Sequence, residues 1–374
     1  MIAHDVESGQ LSEVSISQGR LLRRAVSGQE STVYLSPGWF DVQVNGFAGF
    51  DFNSGELTTD GFEEVVRRLQ AEGVTRFLPT VVTDSLVHMK KCLRIIVRAR
   101  QESPVVTRAV PGIHLEGPFI SRDRGARGAH PEEHIRDPDR ALFDEFQEAA
   151  NGQVRLLTLA PEMRRAAELI GQLTAHGVVV AIGHSVANGD EIERAVAAGA
   201  RLSTHLGNGI PAQLPRHPNP IWEQLARDEL TASAIFDGHH LPPSVMRVLF
   251  RVKGVQKLVL TSDAVSLARC EPGVYEGQVG GKVELGKDGR LRIFGTEYLA
   301  GSASSLLDGV DTALNRLGID AGSALRMVSR TPAELLGLEP REDWTLIDTA
   351  GRRVELLAVV ADGEVVVDKM AGGS

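Results

Sequence analysis

Glu116, His184 and His205 each sit at the end of a short apolar stretch, in AVPGIHLE, VVVAIGHS and RLSTHL. A carboxylate with two imidazoles gives a divalent cation three ligands and leaves a fourth position for water, the pattern of a catalytic site and not of a closed structural one. A lone histidine is more often a hydrogen-bonded core or surface residue; three at equivalent strand ends weaken that reading. Asp263 ends KLVLTSDA, where a buried carboxylate needs a cation or donor beside it. Such a group can take a proton from an activated water and return it to a leaving amine, or merely cap the next turn. Asp41, Gln43 and Asn45 close GWFDVQV, His114 precedes Glu116, and Asp237, His239 and His240 follow TASAIF.

Residues scattered over such distances in sequence meet only if the segments carrying them share one sheet. Eight short apolar segments, GWFDVQV, TRFLPTVV, AVPGIHLE, VRLLTLAP, VVVAIGHS, RLSTHL, TASAIF and KLVLTSDA, alternate with amphipathic stretches such as 61–70 and 190–198. That rhythm predicts an α/β fold, a (β/α)8 TIM barrel with its site at the C-terminal ends of the strands. Short alternating stretches near both ends, with a hairpin signal at Asp362-Gly363, predict a small β-sandwich domain built from residues 1–36 and 343–374. Residues 37–342 would then form the barrel, with a turn-rich β-hairpin insertion around 270–298.

The 374 residues carry 40 Lys plus Arg against 49 Asp plus Glu, a net charge of −9, which excludes a generally basic nucleic-acid binder. Two cysteines, Cys92 and Cys270, are too few for a disulfide framework or an all-cysteine zinc site. The N-terminus lacks the basic start and apolar core of a signal segment, and no apolar run approaches ~18 residues. The expectation is a cytoplasmic protein with no membrane partner, whose 11 histidines hold the interest.

An ordered motif set runs along the chain: SPGWFDVQVNG at 36–46, FLPT at 77–80, HLEGPF at 114–119, GAHP at 128–131, TLAPE at 158–162, GHS at 183–185, THL at 204–206, DGHH at 237–240, SDA at 262–264 and AGS at 300–302. Together these motifs resemble the amidohydrolase superfamily and, within it, the N-acetylglucosamine-6-phosphate deacetylase family, over nearly the whole chain. The resemblance implies that Glu116, His184 and His205 bind the catalytic metal and that Asp263 is the general acid/base. It places Ala129, His130 and His240 around the substrate, with His130 the first choice for polarising the amide carbonyl. Asn208 and Gly209 are implied to contact the sugar phosphate, and Leu299, Ala300 and Gly301 to contact the substrate through their backbone, with a plain tight turn an equal reading. Arg216 is implied to bind the phosphate across a homodimer interface, although an ordinary surface arginine is an equal reading. Many superfamily members open the barrel with a His-x-His pair that holds a second metal; Gln43-Val44-Asn45 stands there in this chain. Amides are poor zinc ligands, so one divalent ion per subunit is expected, zinc first, with Fe2+, Co2+ or Mn2+ as alternatives.

The chain departs from the family pattern between 207 and 220. Where the family reads Thr-His-x-x-Asn-Ala-Met, this sequence has THLGNGIP, and His217-Pro218-Asn219-Pro220 follows Arg216. His239 is an additional imidazole, with packing or a surface role as its simplest reading. The function expected is metal-dependent removal of the N-acetyl group from an amino-sugar 6-phosphate. The alternatives are the same chemistry on an unphosphorylated amino sugar or other N-acyl compound, and a non-catalytic amino-sugar-binding barrel.

Overall fold

The computed structural model describes residues 1–28, 30–278 and 281–370. Eight strands form one parallel sheet in chain order: Trp39–Val44, Val74–Val82, Ile113–Glu116, Val154–Leu159, Val179–Ile182, Leu202–Ser203, Thr231–Ile235 and Leu258–Thr261. The first and eighth strands meet side by side and close a (β/α)8 barrel. Asp41 fastens that seam: its carboxylate accepts from Thr261 Oγ1 (2.6 Å) and Ser262 N (3.2 Å). Asn45 N donates to Ala264 O across it. Complete burial pushes the Asp41 carboxyl up to about 6, against the pull of those donors.

Two sequence-based expectations shift. Residues 109–112 were expected to open the third strand, but Pro104–Ala109 is helical and the strand starts at Ile113. The sixth strand shrinks to Leu202–Ser203, because the chain turns out of the sheet before His205.

Helices cover the outside for the reasons their sequences suggest. The 61–70 stretch becomes helix Thr59–Gln70, capped by Thr58 and burying Phe62, Val65, Val66 and Leu69. Helix Gly189–Ala198 has a reciprocal capping box between Asn188 and Glu191 and ends at Gly199, whose φ of 115° suits glycine.

Inside the barrel the side chains lie in layers. Phe40, Val42, Leu78, Leu156, Ala181, Leu202 and Val259 fill the lower barrel, closed from below by Ala333 and Leu336. Two residues further along three of these strands the lining becomes polar: Thr80, Thr158 and Thr204. His114 Nε2 lies 2.8 Å from Thr158 Oγ1, which lies 2.7 Å from Thr204 Oγ1. Burial pushes the His114 imidazole down to about 4, so it serves there as a neutral hydrogen-bonding group.

The chain termini supply a second sheet of seven strands. Its order is Glu364–Asp368, Glu355–Ala361, Trp344–Asp348, Val33–Pro37, Ile2–Asp5, Leu11–Ser17 and Arg20–Val26. It curls until Val365 N donates to Gly19 O, joining its two edges around Ala3, Val14, Leu35, Leu346 and Ala358. Asp362 and Gly363 both have positive φ, 56° and 79°, as the hairpin between its last two strands requires. After the eighth barrel strand comes a three-stranded antiparallel sheet, Gly273–Gln278, Gly281–Leu285 and Leu291–Ile293, one strand more than a hairpin. Val279 and Gly280 of the expected insertion lie outside the described residues.

Candidate active site

His184, His205 and Asp263 leave the barrel in one shared way. Each lies two residues past the last residue of its strand, not at its end. Each has left-handed backbone, with φ of 50°, 31° and 50°. Such a conformation costs a non-glycine residue about 1–3 kcal/mol and persists only where the surroundings over-determine it. Here they do. His205 N donates to Ser233 Oγ (2.8 Å), Ser185 N to Gly209 O (3.1 Å) and Ala264 N to Ser262 Oγ (3.1 Å). The turn folds all three side chains over the barrel mouth.

They converge on Glu116, the last residue of the third strand. Its Oε1 accepts from Gln43 Nε2 at 2.9 Å and lies 3.0 Å from His205 Nε2 and 3.2 Å from His184 Nε2. His130 Nε2 is 3.3 Å from His184 Nε2, and the donor atoms of Glu116, His130 and His184 all fall within 4.8 Å of one another. Burial would raise the Glu116 carboxyl, but hydrogen bonds and charge from His184 and His205 outweigh it and hold it well below the usual carboxylate range. The same contacts overcome desolvation at His205 and raise its imidazole. His130 lacks a hydrogen bond to that carboxylate; burial first, then the neighbouring His184, push it down to about 3 against the pull of Glu116.

The His184 ring tests whether a cation fits. Its Nδ1 lies 2.8 Å from Ala126 O, an acceptor only, so Nδ1 carries the proton. In the neutral ring Nε2 is then a lone pair, and it faces the Glu116 carboxylate. Two acceptors 3.2 Å apart need a proton or a cation between them, so a divalent cation held by Glu116, His184 and His205 fits these residues.

Gln43 and Asn45 do a different job from the histidines of a His-x-His pair. Asn45 Nδ2 donates to Asp263 Oδ1 at 2.7 Å, as Gln43 does to Glu116. Both amides therefore hold carboxylates by N–H donation. The ladder between the first two strands is irregular from Asp41 to Val44, and this bulge lets Val42 join the inner core while Gln43 reaches Glu116. Burial and the Glu116 charge push Asp263 up to about 6, while His205, His240 and Asn45 hold it down.

The other expected site residues divide. Asn208 Nδ2 donates to His205 O, and Gly209 packs against the His184 ring. The Leu299–Gly301 turn lies beside Asp263, since Val265 N donates to Ser302 O and Ala264 bridges Ser302. His240 Nδ1 lies 2.7 Å from Asp237 Oδ2. His239 Nδ1 accepts from Arg290 Nε of the inserted sheet at 3.3 Å, a surface contact. Ala129, Arg216 and His217 are exposed, and neither the Arg216 nor the His217 side chain has a hydrogen bond or ion pair among the described residues. Sequence reasoning gave no role to Glu162, which accepts from Ser185 Oγ (2.6 Å) and Val186 N (2.8 Å) and so braces the turn after His184. Its position at the end of TLAPE was the available signal.

No family model matches the chain. It is 40% identical over 356 residues to the N-acetylglucosamine-6-phosphate deacetylase of Bos taurus, covering 89% of this chain and 83% of that protein. It is 32% identical over 343 residues to the N-acetylgalactosamine-6-phosphate deacetylase of Shewanella sp. (strain ANA-3), covering 89% and 83%. The structure of a mutant N-acetyl-D-glucosamine-6-phosphate deacetylase from Mycobacterium smegmatis, in complex with N-acetyl-D-glucosamine-6-phosphate, superposes with a TM-score of 0.83 at 28% identity, over 96% of this chain and 95% of that one. With identity of 40% over 89% of its length, the chain belongs to the N-acetylglucosamine-6-phosphate deacetylase family.

Proposed function

We propose that the protein hydrolyses the N-acetyl amide of an amino-sugar 6-phosphate, N-acetylglucosamine 6-phosphate first, giving acetate and the free amine. The observation that carries this reading is the buried set at the barrel mouth: a His184 lone pair facing Glu116, His205 on the same carboxylate oxygen, and Asp263 beside them. A divalent cation bound by Glu116, His184 and His205, zinc first, would supply a Lewis acid that brings the pKa of water from ~16 towards ~7. Asp263, ionised above about 6, takes the proton from the attacking water and then delivers it to the departing nitrogen. Neutral His130 can donate from Nε2 to the amide oxygen as negative charge develops there. Gln43 and Asn45 are amides that donate N–H to the Glu116 and Asp263 carboxylates and are themselves poor metal ligands, which favours a single metal per subunit. His240, Asn208, Gly209 and the Leu299–Gly301 turn border the sugar. Arg216, whose side chain has no hydrogen bond or ion pair among the described residues, supports the reading in which it serves a neighbouring subunit of a homodimer and clasps the phosphate there. No described helix is long and apolar enough to cross a membrane, in keeping with a cytoplasmic site of action.

The unpartnered Arg216 and the altered 207–220 loop also favour a second reading, the same hydrolysis on an unphosphorylated amino sugar. Acetate release by the zinc-loaded protein from N-acetylglucosamine, N-acetylgalactosamine and the 6-phosphate of each decides between them. The first reading expects kcat/KM to fall at least about 100-fold without the phosphate, the scale of two or more lost charged hydrogen bonds. Equal rates with and without phosphate would establish the second, and no release from any of the four would overturn both.

A further inference from the structure

The DGHH turn holds an acid–imidazole pair that the hydrolytic steps above leave without a role. Asp237 uses its two oxygens differently. Oδ1 accepts from the backbone N–H groups of His239 (2.8 Å) and His240 (2.9 Å), which pins the carboxylate to its own turn. Oδ2 is left for the imidazole of His240, 2.7 Å away. Both side chains are buried, 4% and 9% exposed. The turn is also blocked from outside, because a Cβ on Gly238 would clash with the Arg316 guanidinium.

We propose that Asp237 is a positioning residue for hydrolysis: it keeps the His240 proton on Nδ1 and so presents Nε2 to the bound amino sugar as a hydrogen-bond acceptor. A turn-capping role would need only Oδ1. Burial raises the Asp237 carboxyl, but the hydrogen bonds from the His240 ring and from the backbone N–H groups of His240 and His239 work against this and keep it ionised. An ionised carboxylate only accepts, so Nδ1 must be the protonated nitrogen. His240 Nε2 bonds to no described residue, and the ring lies close enough to Asp263 to influence that carboxyl. In the neutral ring the proton on Nδ1 leaves Nε2 a lone pair, and with Asp263 nearby a hydroxyl or amide N–H of the sugar is the donor it would receive.

The inference rests on the deacetylase reading, and Asp237→Asn tests it apart from that reading. The amide oxygen can still accept from the two backbone N–H groups, so the turn survives. The amide N–H2 then faces Nδ1 and forces the proton to Nε2. Nitrogen NMR of 15N-histidine-labelled protein should show His240 protonated on Nδ1 in the wild type and on Nε2 in Asp237→Asn, whatever the activity. Kinetically, Asp237→Asn should lower kcat/KM about 100-fold with Tm unchanged within about 2 °C. Added to His240→Ala, it should cost less than about twofold more, because its effect passes through the ring. An unchanged tautomer, or a loss that multiplies fully with that of His240→Ala, would overturn the positioning role. Wild-type protein inactive on all four sugars would overturn the deacetylase reading and leave the tautomer result to stand or fall alone.

Discussion

The strand-end cluster and the 207–220 loop sit side by side at the barrel mouth, yet they are built on opposite terms. Glu116, His184 and His205 are buried and Asp263 is half-buried, all four are hydrogen-bonded to residues of other strands, and three of them are held in left-handed backbone. The loop is exposed at 212–213 and 215–218 and half-buried through most of the rest, and its side chains make few bonds beyond Asn208 to His205 O and Asn219 capping helix Pro220–Leu225. The first arrangement fixes reacting groups in advance, as catalysis of one reaction requires. The second leaves room to alter what is bound without disturbing how it is cleaved. The two also differ in how they follow the family pattern: the cluster keeps it and the loop departs from it.

Mutations at the two regions should therefore fail differently. The largest effect belongs to the cluster. Asp263→Asn removes the proton carrier, and turnover should fall ~10³-fold or more while the metal content, measured on the purified protein, stays at the wild-type level. Near-normal turnover would erase the contrast by leaving the cluster without its acid/base. In the loop, Arg216→Ala should leave kcat within about twofold and raise KM for the phosphorylated sugar about 10- to 100-fold, the scale of a charged hydrogen bond. KM for the unphosphorylated sugar should not move, nor should Tm, since Arg216 is exposed. A fall in kcat on both substrates would place the loop inside the chemistry and break the comparison.

A finer test separates the amides from the carboxylates they hold. The Asn45 N–H2 lowers the pKa of Asp263, which burial has pushed up to about 6. Removing that donor in Asn45→Ala raises the Asp263 pKa further. As a base Asp263 must be ionised, so the acid limb of kcat/KM should move to higher pH while the alkaline limb stays in place. Activity should drop several-fold at pH 6 and little at pH 8. An unmoved acid limb would mean that another group limits the rate there.

Legibility in the sequence follows the same division. Alternation of apolar strands with amphipathic helices exposed the barrel, and polar residues at repeated strand ends exposed Glu116, His184, His205 and Asp263, because burial of a charge there needs a reason. The left-handed turns stayed hidden: glycine advertises positive φ, while histidine and aspartate at 184, 205 and 263 do not. Gln43 was readable as a poor metal ligand but not as the donor to Glu116, since that contact depends on a bulge no residue pattern announces. The resemblance set His240 apart from His239 in DGHH, but only the fold shows one beside Asp237 and the other beside Arg290. On the proposed reading the partner of Arg216 lies in a neighbouring subunit, which one chain's sequence does not encode locally.

The smallest predicted effect falls on the seam between the two regions. Gly209 is in the loop, but its φ is 60°, its carbonyl accepts from Ser185 N, and a Cβ there would stand 3.0 Å from His184 Nδ1. Alanine, the residue that the family pattern carries at this place, would meet two penalties. The left-handed backbone costs it about 1 kcal/mol, equal to roughly 2–4 °C in Tm for a chain this large. Its methyl also presses on the ring that donates from Nδ1 to Ala126 O, the bond that sets the His184 tautomer. Gly209→Ala should therefore weaken zinc about 10-fold in a chelator competition, with the phosphate preference unchanged. If zinc affinity holds and the phosphate preference moves instead, Gly209 belongs with substrate choice, and the boundary between the fixed cluster and the variable loop lies nearer to His184 than its backbone suggests.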